Sequence, residues 1–318
     1  MTEKIKLGIS SCLLGEKVRY NGGHTLDRFL VDVLGQYVHY VPVCPEVEIG
    51  LPIPREPLRL VKFAGNDSPR LVTQKTGIDY TGPMLNWAKS RLDQLDKEGL
   101  CGYIFKSKSP SSGMERIKIY NEKGVAQRSG AGLFARAFME RFPLMPVEEE
   151  GRLHDIELRE NFIVRVFTYH RWRQVQAGPF TPGAVVAFHS KNKLLFMAHH
   201  PEMARQLGKL VAKAKEMLGQ EFFASYQALM MTLMKFKASV RKNSNVLYHM
   251  MGYFKKQLDP GEKQEMVEVI EQYRLGYYPL VVPLTLIKHY VRKYDQAYLK
   301  DQYYLDPHPV ELKLRNHA

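Results

Sequence analysis

Two thiols and a serine-rich loop are the residues of this chain with the most chemical potential. Cys12 follows the apolar run Ile5-Lys6-Leu7-Gly8-Ile9, and Cys44 follows Val38-His39-Tyr40-Val41-Pro42-Val43. A third run, Gly102-Tyr103-Ile104-Phe105-Lys106, opens into Ser107-Lys108-Ser109-Pro110-Ser111-Ser112-Gly113. Thiolates are soft donors that select soft metals or iron–sulfur clusters. Glu46 stands two residues beyond Cys44, and a carboxyl beside a partly dehydrated site can have its pKa raised and serve as general acid or base. Ser109 and Ser111 add hydroxyls in a loop where Pro110 restricts the backbone and Gly113 permits a turn. Cys101 lies at the wrong end of its run: eight steps at about 3.3 Å each put it up to roughly 25 Å from Ser109, which suits core packing.

The elements that must position these residues follow from periodicity. If the three runs are parallel strands, their loops meet at one sheet edge, where ligands bind in open α/β folds. Helices are expected at Leu26 to Leu34, on the spacing of Leu26, Phe29, Leu30, Val33 and Leu34, and at Thr81 to Glu98, where Met84, Leu85, Ala88, Leu92 and Leu95 share a face and Gly99 supplies a stop. Arg116-Ile117-Lys118-Ile119-Tyr120 alternates like a half-exposed strand, and Leu133 to Met139 begins another helix. Between Glu148-Glu149-Glu150-Gly151 and about Asn161 the acidic run and polar residues suggest a domain junction, and beyond it the pattern turns helical. We therefore expect an α/β domain with a Rossmann-like parallel sheet over residues 1–155 and a mainly α-helical domain over 156–318.

Composition narrows the functional classes. Three cysteines in 318 residues do not make a disulfide framework. Neither paired C-x-x-C motifs, H-E-x-x-H nor a phosphate-binding P-loop occurs. There is no run of 18 apolar residues, and Met1 to Lys6 lacks the apolar stretch of a secretory signal, so a cytoplasmic location without membrane partners is expected. The net charge of +13 is uneven: residues 1–150 hold 21 Lys and Arg against 18 Asp and Glu, and residues 151–318 hold 25 against 15, or +10. A basic domain commonly meets polyanions, because counterion release contributes much of nucleic-acid affinity. Lys191, Lys193, Lys242, Lys256, Arg292 and Lys293 are the candidate RNA contacts; Arg205, Lys209 and Lys213 form a second basic stripe at helical spacing. His199-His200 reads as a helix-start pair.

At these motifs the chain resembles two known families. Ser10-Ser11-Cys12-Leu13-Leu14-Gly15, Cys44-Pro45-Glu46 with Gly50-Leu51 and Pro54-Arg55, and Lys106 to Gly113 resemble DUF523, the thiouracil desulfidase (TudS-like) domain. Phe188-His189-Ser190-Lys191-Asn192-Lys193-Leu194-Leu195, Asn245 to Phe254 and the closing Leu314-Arg315-Asn316-His317 are similar to DUF1722. The fused form resembles the RudS-type desulfidases, which act on 4-thiouridine in transfer RNA. The resemblance implies a [4Fe-4S] cluster with one open iron, non-redox replacement of the substrate's sulfur by water's oxygen, Cys12 and Cys44 as metal ligands, and Glu46 and Ser109 as catalytic groups. In the family loop a cysteine stands where this chain has Ser112. Three possibilities follow: Ser112 ligates, another group completes the site, or the cluster is absent. The function implied is desulfuration of tRNA; the alternatives are a non-catalytic RNA-binding adaptor and a small-molecule thiouracil or thionucleotide desulfidase.

Overall fold

The computed structural model describes residues 4–65 and 68–316; His317 of the closing motif lies outside the described residues. The chain divides into two compact units, Met1–Asp155 and Ile156–Ala318. In the first, the elements run β1 (Ile5–Ser10), β2 (Val38–Val43), the short helix α1 (Pro45–Glu48), β3 (Leu58–Lys62), β4 (Arg70–Thr73), α2 (Thr81–Glu98), β5 (Tyr103–Phe105), β6 (Lys118–Asn121), β7 (Ala126–Arg128), α3 (Leu133–Arg141) and β8 (Val147–Glu149).

The main sheet has the order β2-β1-β5-β8, with every neighbouring pair parallel. Parallel strands are covered on both faces and so read as near-continuous apolar runs. Leu7, Ile9, Tyr103, Ile104 and Phe105 are accordingly buried. Tyr103 and Phe105 pack against Phe134 and Phe138 of α3 in edge-to-face and tilted contacts, with ring centroids 4.7 to 6.4 Å apart, a geometry that aromatic quadrupoles favour. The register sets Ser10 beside Val43 and Phe105 beside Glu149. The residues that follow these four strands therefore emerge at one edge, as the positions of Cys12, Cys44 and the serine loop require.

Local differences from the sequence expectation have physical causes. Regular helix between Leu26 and Leu34 begins only near Phe29, as a π-type turn Phe29–Val33 followed by a 3-10 turn Leu34–Gln36. The preceding backbone is engaged elsewhere: Thr25 and Asp27 donate their N–H groups to the carbonyls of Cys12 and Leu13, and Asp27 accepts from the N–H of Leu30, acting as a cap. α2 keeps its expected bounds, but Leu85 is exposed rather than on the buried face. The acidic run begins in strand, ahead of the division between the units after Asp155. Glu148 and Glu149 end β8 and are buried with Glu150.

A second sheet of the same unit is ordered β4-β3-β6-β7. The alternating run around Ile119 belongs to it, whereas β3, β4 and β7 have no clear signature in the sequence. β7 is exposed at all three positions, so it carries no apolar periodicity to detect.

The second unit is helical throughout its described elements: α4 (Ile156–Ala177), α5 (Pro182–His199), α6 (Pro201–Ala212), α7 (Gly219–Met234), α8 (Val240–Met251), α9 (Pro260–Arg274), α10 (Val281–Lys293) and α11 (Ala297–Lys300), with short 3-10 turns. Four of its helix starts are capped by side chains. Thr181, His200 and Ser239 each accept from a first-turn N–H, and Asp259 with Glu262 forms a reciprocal capping box. Trp172 is fully buried against Tyr226 and Phe188. Among the described residues no helix is long and apolar enough to cross a membrane.

Three buried histidines make this unit acid-sensitive. Burial lowers the pKa of His189, His199 and His308 to about 4, reinforced at His189 by Lys193 and at His308 by Arg315. Below about pH 6.5 the unfolded chain takes up protons at these rings while the folded chain does not, so stability is full above that pH and falls as pH approaches 4. Each ring contributes about 3 kcal/mol to the loss. With Trp87 replaced by Phe, Trp172 is the sole indole, and its urea midpoint is expected to fall steeply between pH 7 and pH 4.5; a flat midpoint contradicts this assignment.

Candidate active site

The three strand-end loops line one cavity of about 290 Å3. Cys12 enters from a 3-10 turn, Ser11–Leu14, that directly follows β1 and closes on Gly15 in the left-handed region. Cys44 precedes α1, whose Pro45 occupies the first helical position. Lys106, Ser107, Ser109 and Ser112 come from the loop after β5. That loop is held by a helix start: the N–H groups of Leu133, Phe134 and Ala135 at the head of α3 go to the carbonyls of Pro110 and Ser111, satisfying donors a helix otherwise leaves orphaned. Gly132 lets this happen, because a Cβ there would stand 2.5 Å from the Ser111 carbonyl.

Glu46 is the hub of the polar contacts. One carboxylate oxygen accepts the Ser111 hydroxyl at 2.5 Å, and Ser111 is in turn 2.9 Å from the Ser109 hydroxyl. The other oxygen lies 3.5 Å from the Arg55 guanidinium and 3.7 Å from Cys44 Sγ. Arg55 is almost wholly buried, and its Nη1 has no hydrogen-bond partner among the described residues. A buried guanidinium N–H left unpaired points to a missing acceptor. The Thr25 hydroxyl is 3.5 Å from Cys12 Sγ.

Both thiols are held protonated by their surroundings. Burial raises the Cys12 pKa, and burial followed by the negative charge of Glu46 pushes Cys44 up to about 12. Arg19 and Lys106 act in the opposite sense on Cys12, and Arg55 on Cys44. Two soft donors suit a metal centre, which displaces the thiol protons on binding, and Arg19, Lys106 and Arg55 offset the thiolate charge that results. Beside the two thiols, Ser10, Ser11, Ser107, Ser109 and Ser112 line the cavity, and Ser112 is buried.

Several residues of the site had no signal in the sequence beyond their type. Glu150, at the end of the acidic run, accepts the Ser107 N–H and hydroxyl, both at 2.7 Å, and pairs with Lys106. Burial opposes its charge, yet the Lys106 and Ser107 contacts hold its pKa below the usual carboxylate value. It fixes the start of the serine loop. Cys101 is buried at the opposite end of β5, its N–H given to the Lys6 carbonyl.

The six candidate RNA contacts are not equivalent. Lys242 donates to the carbonyls of His199 and Lys237 at 2.7 and 3.0 Å, and so holds a helix end. Lys191 pairs with Asp301, and Lys293 pairs with Glu262 beneath the Tyr294 ring. Lys256 and Arg292 are exposed. Lys193 lines an open groove together with Arg205, Lys209, Asn245, His249, Tyr253 and Tyr298. Tyr253 and Tyr298 stack there, with centroids 5.0 Å apart and rings inclined by 18°. His200 caps α6, as its place in the doublet suggests, while His199 closes α5 and is buried.

Comparison with known proteins bears on both units. Residues 7–150 match the family described as 2-thiouracil desulfurase, and residues 193–309 match DUF1722, described as a protein of unknown function. The uncharacterized protein YbgA of Escherichia coli (strain K12) is 33% identical over 158 residues, which cover 49% of this chain and 94% of YbgA. The uncharacterized protein YbbK of Bacillus subtilis (strain 168) is 31% identical over 109 residues, 33% of this chain and 71% of YbbK. The chain belongs to the 2-thiouracil desulfurase family, joined to a DUF1722 region. Among solved structures, the [4Fe-4S]-dependent thiouracil desulfidase TudS is 32% identical, with 48% of this chain and 95% of that chain covered and a TM-score of 0.39. As a desulfurase-family cavity, the Cys12, Cys44 and Glu46 site has a reaction class against which its geometry can be read.

Proposed function

We propose that this protein is an iron–sulfur-dependent desulfidase that converts 4-thiouridine in transfer RNA to uridine with release of sulfide. The observation that carries the reading is the convergence of two thiols, Glu46 and the serine loop on one cavity at the carboxyl edge of the parallel sheet. Cys12 and Cys44 would hold the cluster as thiolates, with the Ser112 hydroxyl as the third protein donor. When bound, the cluster supplies an open iron, a Lewis acid for the substrate's sulfur. The reaction balances without electron transfer: water's oxygen bonds to the ring carbon, the carbon–sulfur bond breaks, and hydrogen sulfide leaves.

The chain's own groups handle the protons. Glu46 accepts one from the incoming water and returns it to the departing sulfur or to the ring nitrogen. Ser111 and Arg55 fix the two carboxylate oxygens in place, and Ser109 orients Ser111.

Transfer RNA is favoured as substrate by the charge of the second half and by the basic groove in which Lys193, Arg205 and Lys209 border stacked tyrosines. Cations that track a backbone beside aromatic platforms are a common way of gripping unpaired RNA. Reconstitution with iron and sulfide without oxygen, followed by nucleoside analysis of treated transfer RNA, is the test. Loss of 4-thiouridine with matching uridine supports the proposal. Unchanged 4-thiouridine in the presence of a full cluster overturns it, in favour of a small-molecule desulfidase if thionucleotides turn over and of an adaptor if they do not.

A further inference from the structure

Two neighbouring carboxylates hold the serine loop after β5, one at each end. β8 lies parallel to β5 with Glu149 beside Phe105, and the Glu150 N–H goes on to the Phe105 carbonyl. Successive side chains of a strand point to opposite faces, so Glu149 and Glu150 diverge where the loop leaves the sheet. Glu150 takes the start of the loop through Lys106 and Ser107. Glu149 takes its end: one carboxylate oxygen accepts the N–H groups of Met114 and Glu115, at 2.7 and 3.4 Å.

Between these two holds lie the residues that the site uses. The Ser112 N–H goes to Ser109 Oγ at 3.1 Å and the Gly113 N–H to the Ser109 carbonyl at 2.8 Å, which folds the loop onto itself. Ser109 Oγ meets Ser111 Oγ, and Ser111 reaches Glu46. Each held residue is followed at once by a non-glycine residue in the left-handed region, Lys108 after Ser107 and Arg116 after Glu115, with φ 61° and 54°. Such conformations persist only where the surroundings impose them. The two carboxylates supply that constraint one residue earlier in each case.

Folding alone is a poor reason for Glu149. It is buried and pairs with no cation among the described residues. Burial raises its pKa, although its two N–H contacts act the other way. A carboxylate buried without a cation costs free energy, and what it gains here is a charge-assisted hold on two backbone groups of one loop.

We infer that Glu149 is a positioning residue of the desulfidase: by fixing Met114 and Glu115 it sets where Ser112 and the Ser109–Ser111 pair stand against Cys12, Cys44 and Glu46. It is not among the described residues that line the cavity of Cys12 and Cys44, so it acts through the loop and not on the substrate. The consequence for the site rests on the desulfidase reading, while the hold on the loop stands on the geometry alone.

The test compares the full-length native chain with Glu149→Met, which keeps the volume and removes the acceptor, and with Glu149→Gln, which keeps an acceptor oxygen. Hydrogen exchange of the metal-free proteins reads the loop directly. Leaving buried N–H groups unpaired predicts that the amides of residues 112–115 exchange about 10-fold or more faster in Glu149→Met, with the second unit unchanged and Glu149→Gln within about 3-fold of native. After anaerobic reconstitution, Glu149→Met should lose iron to a chelator about 10-fold faster, the scale on which groups that orient metal ligands act. Its kcat for sulfide release should fall about 10-fold or more with KM little changed, and Glu149→Gln should restore both. A merely structural role would lower the urea midpoint and leave the folded variant with native kcat and iron retention, and that result overturns the inference. So does unchanged loop exchange in Glu149→Met, or a Glu149→Gln variant as impaired as Glu149→Met, which assigns the effect to charge. If Glu149→Met does not fold, Glu149→Asp takes its place: the charge stays, the acceptor is withdrawn by one methylene, and the same contrast with Glu149→Gln decides. A native protein that takes up no iron or releases no sulfide refutes the desulfidase reading alone, and the exchange contrast still decides whether Glu149 holds the loop.

Discussion

Replacing Glu46 with glutamine is expected to lower the rate of sulfide release by about 10²–10⁴-fold, the range for loss of a positioned general acid–base, with iron content unchanged. Glutamine keeps the shape and can still accept the Ser111 hydroxyl, which is 2.5 Å from the native carboxylate, but it cannot take up and return a proton. The account places Glu46 on the proton rather than on the substrate's affinity, so the fall should appear in kcat with little change in KM. Single-turnover sulfide release and iron analysis of the same preparation measure both quantities. A variant that keeps its iron and turns over at the native rate removes Glu46 from the chemistry. One that loses its iron instead assigns the carboxylate to assembly of the site, through Cys44 at 3.7 Å.

Ser112→Cys is expected to act on the metal rather than on the proton. Ser112 is buried and faces the same cavity as Cys12 and Cys44, and exchanging oxygen for sulfur there changes volume little while converting a hard donor to a soft one. Soft thiolates favour iron–sulfur centres. The reconstituted variant should therefore lose iron to a chelator more slowly than the native protein, on the order of 10-fold or more. Iron loss at the same or a faster rate would show that the Ser112 position does not reach the metal. On this account a serine at this place would leave a cluster held by two thiols and more easily dismantled.

How far the sequence could be read depended on periodicity. Three of the four parallel strands, β1, β2 and β5, were legible as continuous apolar runs, whereas β8 lies in the acidic run; α2 was legible because Met84, Ala88, Leu92 and Leu95 repeat on one face above a glycine stop. Once the strands are parallel, the meeting of Cys12, Cys44 and the serine loop at one edge follows from topology. What escaped was everything set by contacts distant in sequence. Arg55 reaches Glu46 from outside the strand-end loops, Thr25 reaches Cys12 because its backbone is bonded to the Cys12 carbonyl, and Glu150 braces Ser107 across 43 positions. The small second sheet was half legible: Lys118 lies on a visible alternating run, while Arg59 and Arg128 sit on strands too short and polar to announce themselves. In the helical unit, charge spacing identified cations but not their partners. Lys242 and Lys293 are committed to internal contacts that no stripe on a helical wheel reveals.

Iron and acid-labile sulfide in protein purified without oxygen, native chain beside Cys44→Ala, test the central claim most directly. The account predicts iron and sulfide in near-equal amounts in the native protein, and their loss when Cys44 is removed. A native protein that takes up no iron even after anaerobic reconstitution, or a Cys44→Ala variant that holds as much as the native chain, would contradict it.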